Sequence, residues 1–107
     1  MICVFINSCN YRTPSKIRFE KITKISLSDS ITITEDRFED SGPDYGLFYK
    51  VILEENECAK ILKFISESKD WKKDENKWRF YKREDGIIYD IAFSEYDCQI
   101  SYSEDLI

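Results

Sequence analysis

Apolar and polar positions change period several times along the chain, and each change marks a boundary between elements. Met1–Ile6 is a continuous apolar stretch whose length and β-branched content predict a buried strand. Asn7–Lys16 is polar and contains Pro14, so it reads as a loop. From Ile17 to Leu27 the apolar positions are Ile17, Phe19, Ile22, Ile25 and Leu27. The ends alternate with period two and the middle does not, which predicts a strand with a bulge. A spacing of three between Phe19, Ile22 and Ile25 keeps a helix as the alternative. Ser28-Asp29-Ser30 is a turn cluster, and Ile31–Thr34 alternates cleanly, so a hairpin is expected there. Glu35–Asp44 then reads as an acidic loop. Tyr45–Leu53 has apolar side chains on both faces, the pattern of a central strand.

Beyond this strand the period changes to that of a helix. Asn56 is the expected N-cap, with Glu54, Glu55 and Glu57 near the positive end of the helix dipole. Cys58, Ile61, Leu62 and Ile65 follow i, i+3, i+4, i+7, an amphipathic helix running to about Ser68. Lys69–Asn76 reads as a charged connection. Trp78–Arg83, Ile87–Phe93 and Cys98–Tyr102 alternate as strands, joined at Glu84-Asp85-Gly86 and Glu95–Asp97. Ser103–Ile107 reads as a frayed acidic tail. The pattern predicts an α+β fold, an antiparallel β-sheet with one main amphipathic helix packed on one face, in a single domain spanning 1–107.

Composition narrows the chemistry. The chain has no histidine, which removes Ser-His-Asp and Cys-His catalysis, His-containing zinc sites and HExxH chemistry. Its three glycines form no phosphate-cradling loop. The four cysteines, Cys3, Cys9, Cys58 and Cys98, show no zinc-ribbon or thioredoxin-like spacing. The longest apolar run, Met1–Ile6, is too short to span a bilayer and lacks the basic start of a signal peptide. A cytoplasmic location with reduced thiols is therefore expected.

The formal net charge is −5, and it is distributed in blocks. Residues 1–28 carry 5 basic and 1 acidic side chains, and residues 29–59 carry 2 basic and 9 acidic. Residues 60–83 carry 9 basic and 4 acidic, and residues 84–107 carry none basic and 7 acidic. Such blocks either pair with one another in the fold or build an acidic face that steers cationic partners and repels phosphates.

Three constellations bear on function. Pro43-Asp44 followed by Asp70-Trp71-Lys72 matches the loose pattern of metal-dependent nucleases, where two carboxylates hold a divalent cation and a lysine stabilises the attacking water. Here the second element follows a helix rather than lying on a strand. The run Trp71-Lys72-Lys73 to Trp78-Arg79-Phe80-Tyr81-Lys82-Arg83 interleaves rings and cations, the logic of single-stranded nucleic-acid binding. It is flanked by the two acidic blocks, and Trp78 and Phe80 alternate like core positions. The acidic segment lacks the carboxylate spacing of a calcium loop. No catalytic residue, metal site or cofactor is expected, and neither nucleic acid nor membrane is an expected partner.

In its small acidic domain, the acidic block Glu35–Asp44, aromatic-rich strands such as Tyr45–Leu53 and the absence of a catalytic set, the chain resembles bacterial immunity proteins of toxin–immunity pairs. The resemblance implies a non-enzymatic protein that binds a cognate toxin, often a basic nuclease domain, and occludes its active site. The alternative is a phage- or mobile-element-encoded inhibitor that mimics nucleic acid. In either case the expected partner-binding residues are Glu35, Asp36, Glu39, Asp40 and Asp44, with Phe38 and Tyr45 as aromatic anchors within an anionic rim. The second acidic block, with Asp90, Glu95, Asp97, Glu104 and Asp105, is the fallback surface.

Overall fold

A computed structural model describes residues 13–106. Two helices, α1 (Ser15–Thr23) and α2 (Glu55–Ser66), accompany six strands. These are β1 (Thr32–Ser41), β2 (Asp44–Ile52), β3 (Trp71–Asp74), β4 (Lys77–Glu84), β5 (Ile87–Ser94) and β6 (Gln99–Leu106). They form one antiparallel sheet in the order β1-β2-β6-β5-β4-β3. The expected Met1–Ile6 strand lies outside the described residues, as do Cys3 and Cys9.

The register aligns Tyr49 with Tyr102, Tyr102 with Ile91, Ile91 with Phe80 and Phe80 with Trp71. Because side chains alternate across a strand, one sheet face therefore carries Leu47, Tyr49, Val51, Ile100, Tyr102, Ile91, Phe93, Phe80 and Trp71, all buried. Phe19 of α1 and Cys58, Ile61 and Ile65 of α2 belong to the same core. The Phe19 ring meets Tyr102 edge-on, with centroids 5.9 Å apart. The opposite face carries Phe48, Lys50, Arg79, Asp90, Ala92, Ser101 and Ser103 around a shallow cavity of about 180 Å³. The α+β reading thus stands, with two helices contributing to the core where the sequence pattern indicated one main helix.

The α2 face follows the predicted spacing, although Leu62 is only half-buried. Its N-cap is Glu54, in extended conformation, and Asn56 instead accepts the Glu57 N–H at 2.9 Å. The segment read as a bulged strand from Ile17 is helix α1, the alternative reading. Pro14 needs no backbone donor at the helix start and has φ −56°. Ser15, Phe19 and Thr23 make the buried stripe. The helix ends at Lys24, which occupies the left-handed region at φ 66° and donates its N–H to Glu20 O at 2.9 Å. Ile25 and Leu27 then do alternate into the core, but as an extended connection rather than a strand.

Three further segments depart from the sequence reading. The acidic stretch Glu35–Ser41 is not a loop; it is most of β1, paired residue by residue with β2 from Glu35↔Lys50 to Ser41↔Asp44. Charged residues are poor strand formers, but among the described residues β1 is an edge strand, and an edge strand exposes much of its side-chain surface and tolerates them. The connection after α2 contains strand β3, with Trp71 buried against Phe80 at 5.4 Å between centroids. Residues Ser103–Leu106 are not a frayed tail. They complete β6, which sits between β2 and β5 in the interior of the sheet.

The thiols also differ from expectation. Cys58 of α2 and Cys98 of the β5–β6 turn form a disulfide, with Cα atoms 5.5 Å apart and a sequence separation of 40. No free cysteine remains among the described residues. Cys98 has φ 51°, and its carbonyl accepts the Leu53 N–H at 2.8 Å. The turn thereby positions Cys98 beside the start of α2.

Candidate functional site

The predicted partner-binding residues all fall on the β1–β2 hairpin, and the strand pleat divides them between two faces. Glu35, Arg37 and Glu39 lie on the face opposite the core; Asp36, Phe38, Asp40 and Tyr45 lie on the core side. Asp44 opens β2 at the hairpin tip, opposite Ser41.

Arg37 organises the first group. Its Nε lies 3.1 Å from Glu35 Oε2, its Nη1 contacts Glu39 Oε2, and its guanidinium sits 4.4 Å from the centroid of the Phe48 ring. Lys50 Nζ adds a longer contact to Glu35 at 3.9 Å. On the core side, Asp36 accepts a 2.6 Å hydrogen bond from Ser15 Oγ, which fixes the start of α1 against β1. Phe38 and Tyr45 stack with centroids 5.4 Å apart and an interplanar angle of 28°. Asp40 accepts the Gly42 N–H at 3.1 Å, a turn contact that uses the left-handed conformation of Gly42 at φ 84°. Asp40 and Asp44 make no ion pair among the described residues, and both are exposed. Two exposed carboxylates without a cation therefore sit at the hairpin tip.

Tyr45 has a structural attachment that sequence reasoning missed. Its hydroxyl donates to Glu104, a carboxylate only 2% exposed. Tyr102 donates to the other oxygen at 2.5 Å, and Arg18 Nη1 lies 2.5 Å from Oε2. Three elements, α1, β2 and β6, thus meet on one buried carboxylate, whose charge is matched by Arg18 and whose lone pairs are filled by phenols. Burial, followed by the hydrogen bond to Glu104, pushes the Tyr45 phenol up to about 12. The same two causes raise Tyr102. Tyr49 is raised to about 12, mainly by burial and then by the charge of Asp36. One signal for the cluster was legible: alternation through Ile100 and Tyr102 puts Glu104 on the apolar face, where a lone charge demands a partner.

The charge blocks resolve unequally. The basic block 60–83 meets the C-terminal acidic block through Lys73–Glu95 at 3.0 Å, Arg79–Asp90 at 3.3 Å and Lys82–Glu84 at 3.7 Å. Hydrogen bonds from Lys73 and then Trp78 hold the Glu95 carboxyl below its ordinary range. With Glu104 buried on Arg18, three of the five fallback residues are ion-paired, and Asp97 and Asp105 have no ion pair among the described residues. The block 29–59 reaches outside itself through one ion pair among the described residues, Lys16–Asp29 at 3.2 Å. Six of its nine acids have no ion pair among the described residues, against three of seven in the C-terminal block.

Two other constellations come apart in space. Asp44 stands on β2 and Lys72 on β3, four strand spacings or ~19 Å apart across the sheet. They cannot share a metal. Among the described residues, no group of three or more His, Cys, Asp or Glu side chains is placed to hold one. In the basic aromatic run, Trp71 and Phe80 are buried and Trp78 donates its indole N–H to Glu95 at 2.9 Å. Those rings are packing residues, and only Tyr81 stands well exposed. No helix is long and apolar enough to cross a membrane among the described residues. A scan against family models, a search of curated proteins and a search of solved structures each found no match.

Proposed function

We propose that this chain is an immunity-type protein that binds a cognate cationic toxin domain, such as a basic nuclease domain, through the acidic β1–β2 hairpin and occludes its active site. The observation that supports the reading is the unequal neutralisation of the charge blocks among the described residues: Asp40 and Asp44 stand without an ion pair at the exposed hairpin tip, while four of the seven acids of the second block are ion-paired. Edge position supports it, because β1 has one lateral side without a strand partner among the described residues. The stacked Phe38–Tyr45 pair supplies apolar area beside the carboxylates. In this reading the hairpin carboxylates substitute for phosphates in front of a cationic active site.

The proposed place of action is the cytoplasm, and the chain acts without catalysis or cofactor and without binding nucleic acid or membrane. The reducing thiol pool of that compartment would hold Cys58 and Cys98 as a dithiol, so the state of this pair in cells tests the location directly. The function is tested by capturing partners from the native host with the wild-type chain and with an Asp40→Lys/Asp44→Lys variant. The expected result is a basic protein retained by the first and lost by the second, whose toxicity on expression is relieved by the wild-type chain. A partner bound equally by both, or one whose toxicity is unrelieved, overturns the reading.

A further inference from the structure

We propose that the cleft between α1 and the β4–β5–β6 end of the sheet binds a small organic anion, a phosphate or carboxylate carried on an apolar body. The cleft encloses about 540 Å³, within the range of small-molecule sites. It does not depend on the acidic hairpin acting as an interface.

Charge selects the ligand's sign. Four cations line the cleft, Arg18, Lys21, Lys24 and Lys82, against two acids, Glu84 and Glu104. Arg18 is held by Glu104 at 2.5 Å, and Lys82 lies 3.7 Å from Glu84. Lys21 and Lys24 have no ion-pair partner among the described residues, so two positive charges remain. The nearby C-terminal end of α1 contributes roughly half a negative charge, which does not cancel them. Ile22, Ile87 and the ring of Tyr89 supply the apolar lining. Tyr89 is half-buried, and its hydroxyl makes no hydrogen bond among the described residues, so a donor remains for a ligand oxygen.

Backbone conformation adds an independent observation. Lys24 occupies the left-handed region at φ 66°, where a helix end ordinarily carries glycine. Side chains other than glycine pay a steric penalty there. A lysine at this position costs stability and places a cation on the cleft wall, a local rule broken beside a candidate site.

The test uses the full chain and four probes: phenyl phosphate, benzoate, inorganic phosphate and phenol, each followed by amide chemical shifts at ~0.1 M salt. Phenyl phosphate or benzoate should shift resonances of residues 18–24 and 82–89 saturably, the stronger of the two naming the anion. Inorganic phosphate and phenol should each bind at least ~10-fold more weakly, one charge-assisted contact or one apolar contact being lost. Lys21→Gln/Lys24→Gln, at exposed positions, should abolish the response without loss of fold. Lys24→Gly separates the roles: it should raise the melting temperature by about 2–8 °C while weakening the probe. No saturation by about 10 mM of either aromatic anion, or undiminished binding by the double variant, overturns the proposal.

Discussion

Arg18 and Glu104, 86 residues apart in sequence, form a 2.5 Å ion pair that ties α1 to the central strand of the sheet. Glu104 is almost fully buried, so its charge is tolerated only because Arg18, Tyr45 and Tyr102 surround it. Removing one partner of such a pair leaves the other desolvated without compensation. Arg18→Ala should therefore destabilise the fold by on the order of 3 kcal/mol. An Arg18→Met/Glu104→Gln double variant, which removes both charges but leaves an amide to bond the Tyr45 and Tyr102 hydroxyls, should recover part of that loss. Urea unfolding of the three chains checks it, and an Arg18→Ala loss under about 0.5 kcal/mol would place the pair among ordinary surface contacts.

Alkaline stability should reflect the same cluster. Tyr45 and Tyr49 are raised to about 12, and Tyr89 and Tyr102 are raised as well. Their unfolded counterparts ionise near ~10, so above that pH the unfolded state releases protons that the native state keeps. The native state then binds more protons than the unfolded one, and stability falls with rising pH. The contribution is complete below about pH 10 and disappears as pH rises through about 12. The urea midpoint should drop steeply across this window, and less steeply in Tyr45→Phe. A flat midpoint would show that these phenols ionise freely in the folded chain.

The helix face gives a graded prediction. Ile65 is fully buried and Leu62 only half-buried. Ile65→Ala should cost about 2–5 kcal/mol through lost burial and the cavity left behind. Leu62→Ala should cost about 1 kcal/mol, since much of that side chain is already in water. Equal losses would mean that α2 packs on the sheet through a different face.

The Cys58–Cys98 disulfide should be structural in the oxidised chain. It spans 40 residues and joins α2 to the β5–β6 turn. Its reduction should cost about 2–4 kcal/mol and lower the melting temperature accordingly. Rapid thiol trapping in cells reports which form exists there. A fully trapped Cys58/Cys98 dithiol agrees with the proposed cytoplasmic location; a persistent disulfide argues for an oxidising compartment.

Interface kinetics require a variant that spares the Glu104 cluster. Tyr45→Ala would confuse anchoring with unfolding, because the Tyr45 hydroxyl is part of that cluster. Phe38→Ala reads the apolar contribution instead, and should speed dissociation of the proposed toxin partner by about 10-fold or more. Reversal of Glu39 and Asp40 should slow association, and high salt should shrink the difference as screening shortens. Unchanged kinetics in both variants would remove the hairpin from the interface.

Much of the fold was legible because periodicity reports which local face is apolar. The α2 stripe, the alternating strands around Tyr49, Phe80 and Ile91, and the Asp85-Gly86 hairpin turn all depend on neighbouring residues. Asp85 and Gly86 have φ of 54° and 79°, the left-handed pair that a tight hairpin needs. The absence of histidine and the blockwise charge were likewise fixed by composition. Tertiary structure decided what depends on distant partners. The acidic Glu35–Ser41 segment becomes a strand because β2 supplies its hydrogen-bonding ladder. Ser103–Leu106 are ordered because β2 and β5 flank them. Phe19 selects helix over bulged strand by packing on Tyr102. Cys58 meets Cys98 only after α2 and the β5–β6 turn are brought together. Which acidic block stays unpaired was likewise invisible in the chain, since a carboxylate's neutralisation depends on a cation within a few ångströms in space, not on its neighbours in sequence.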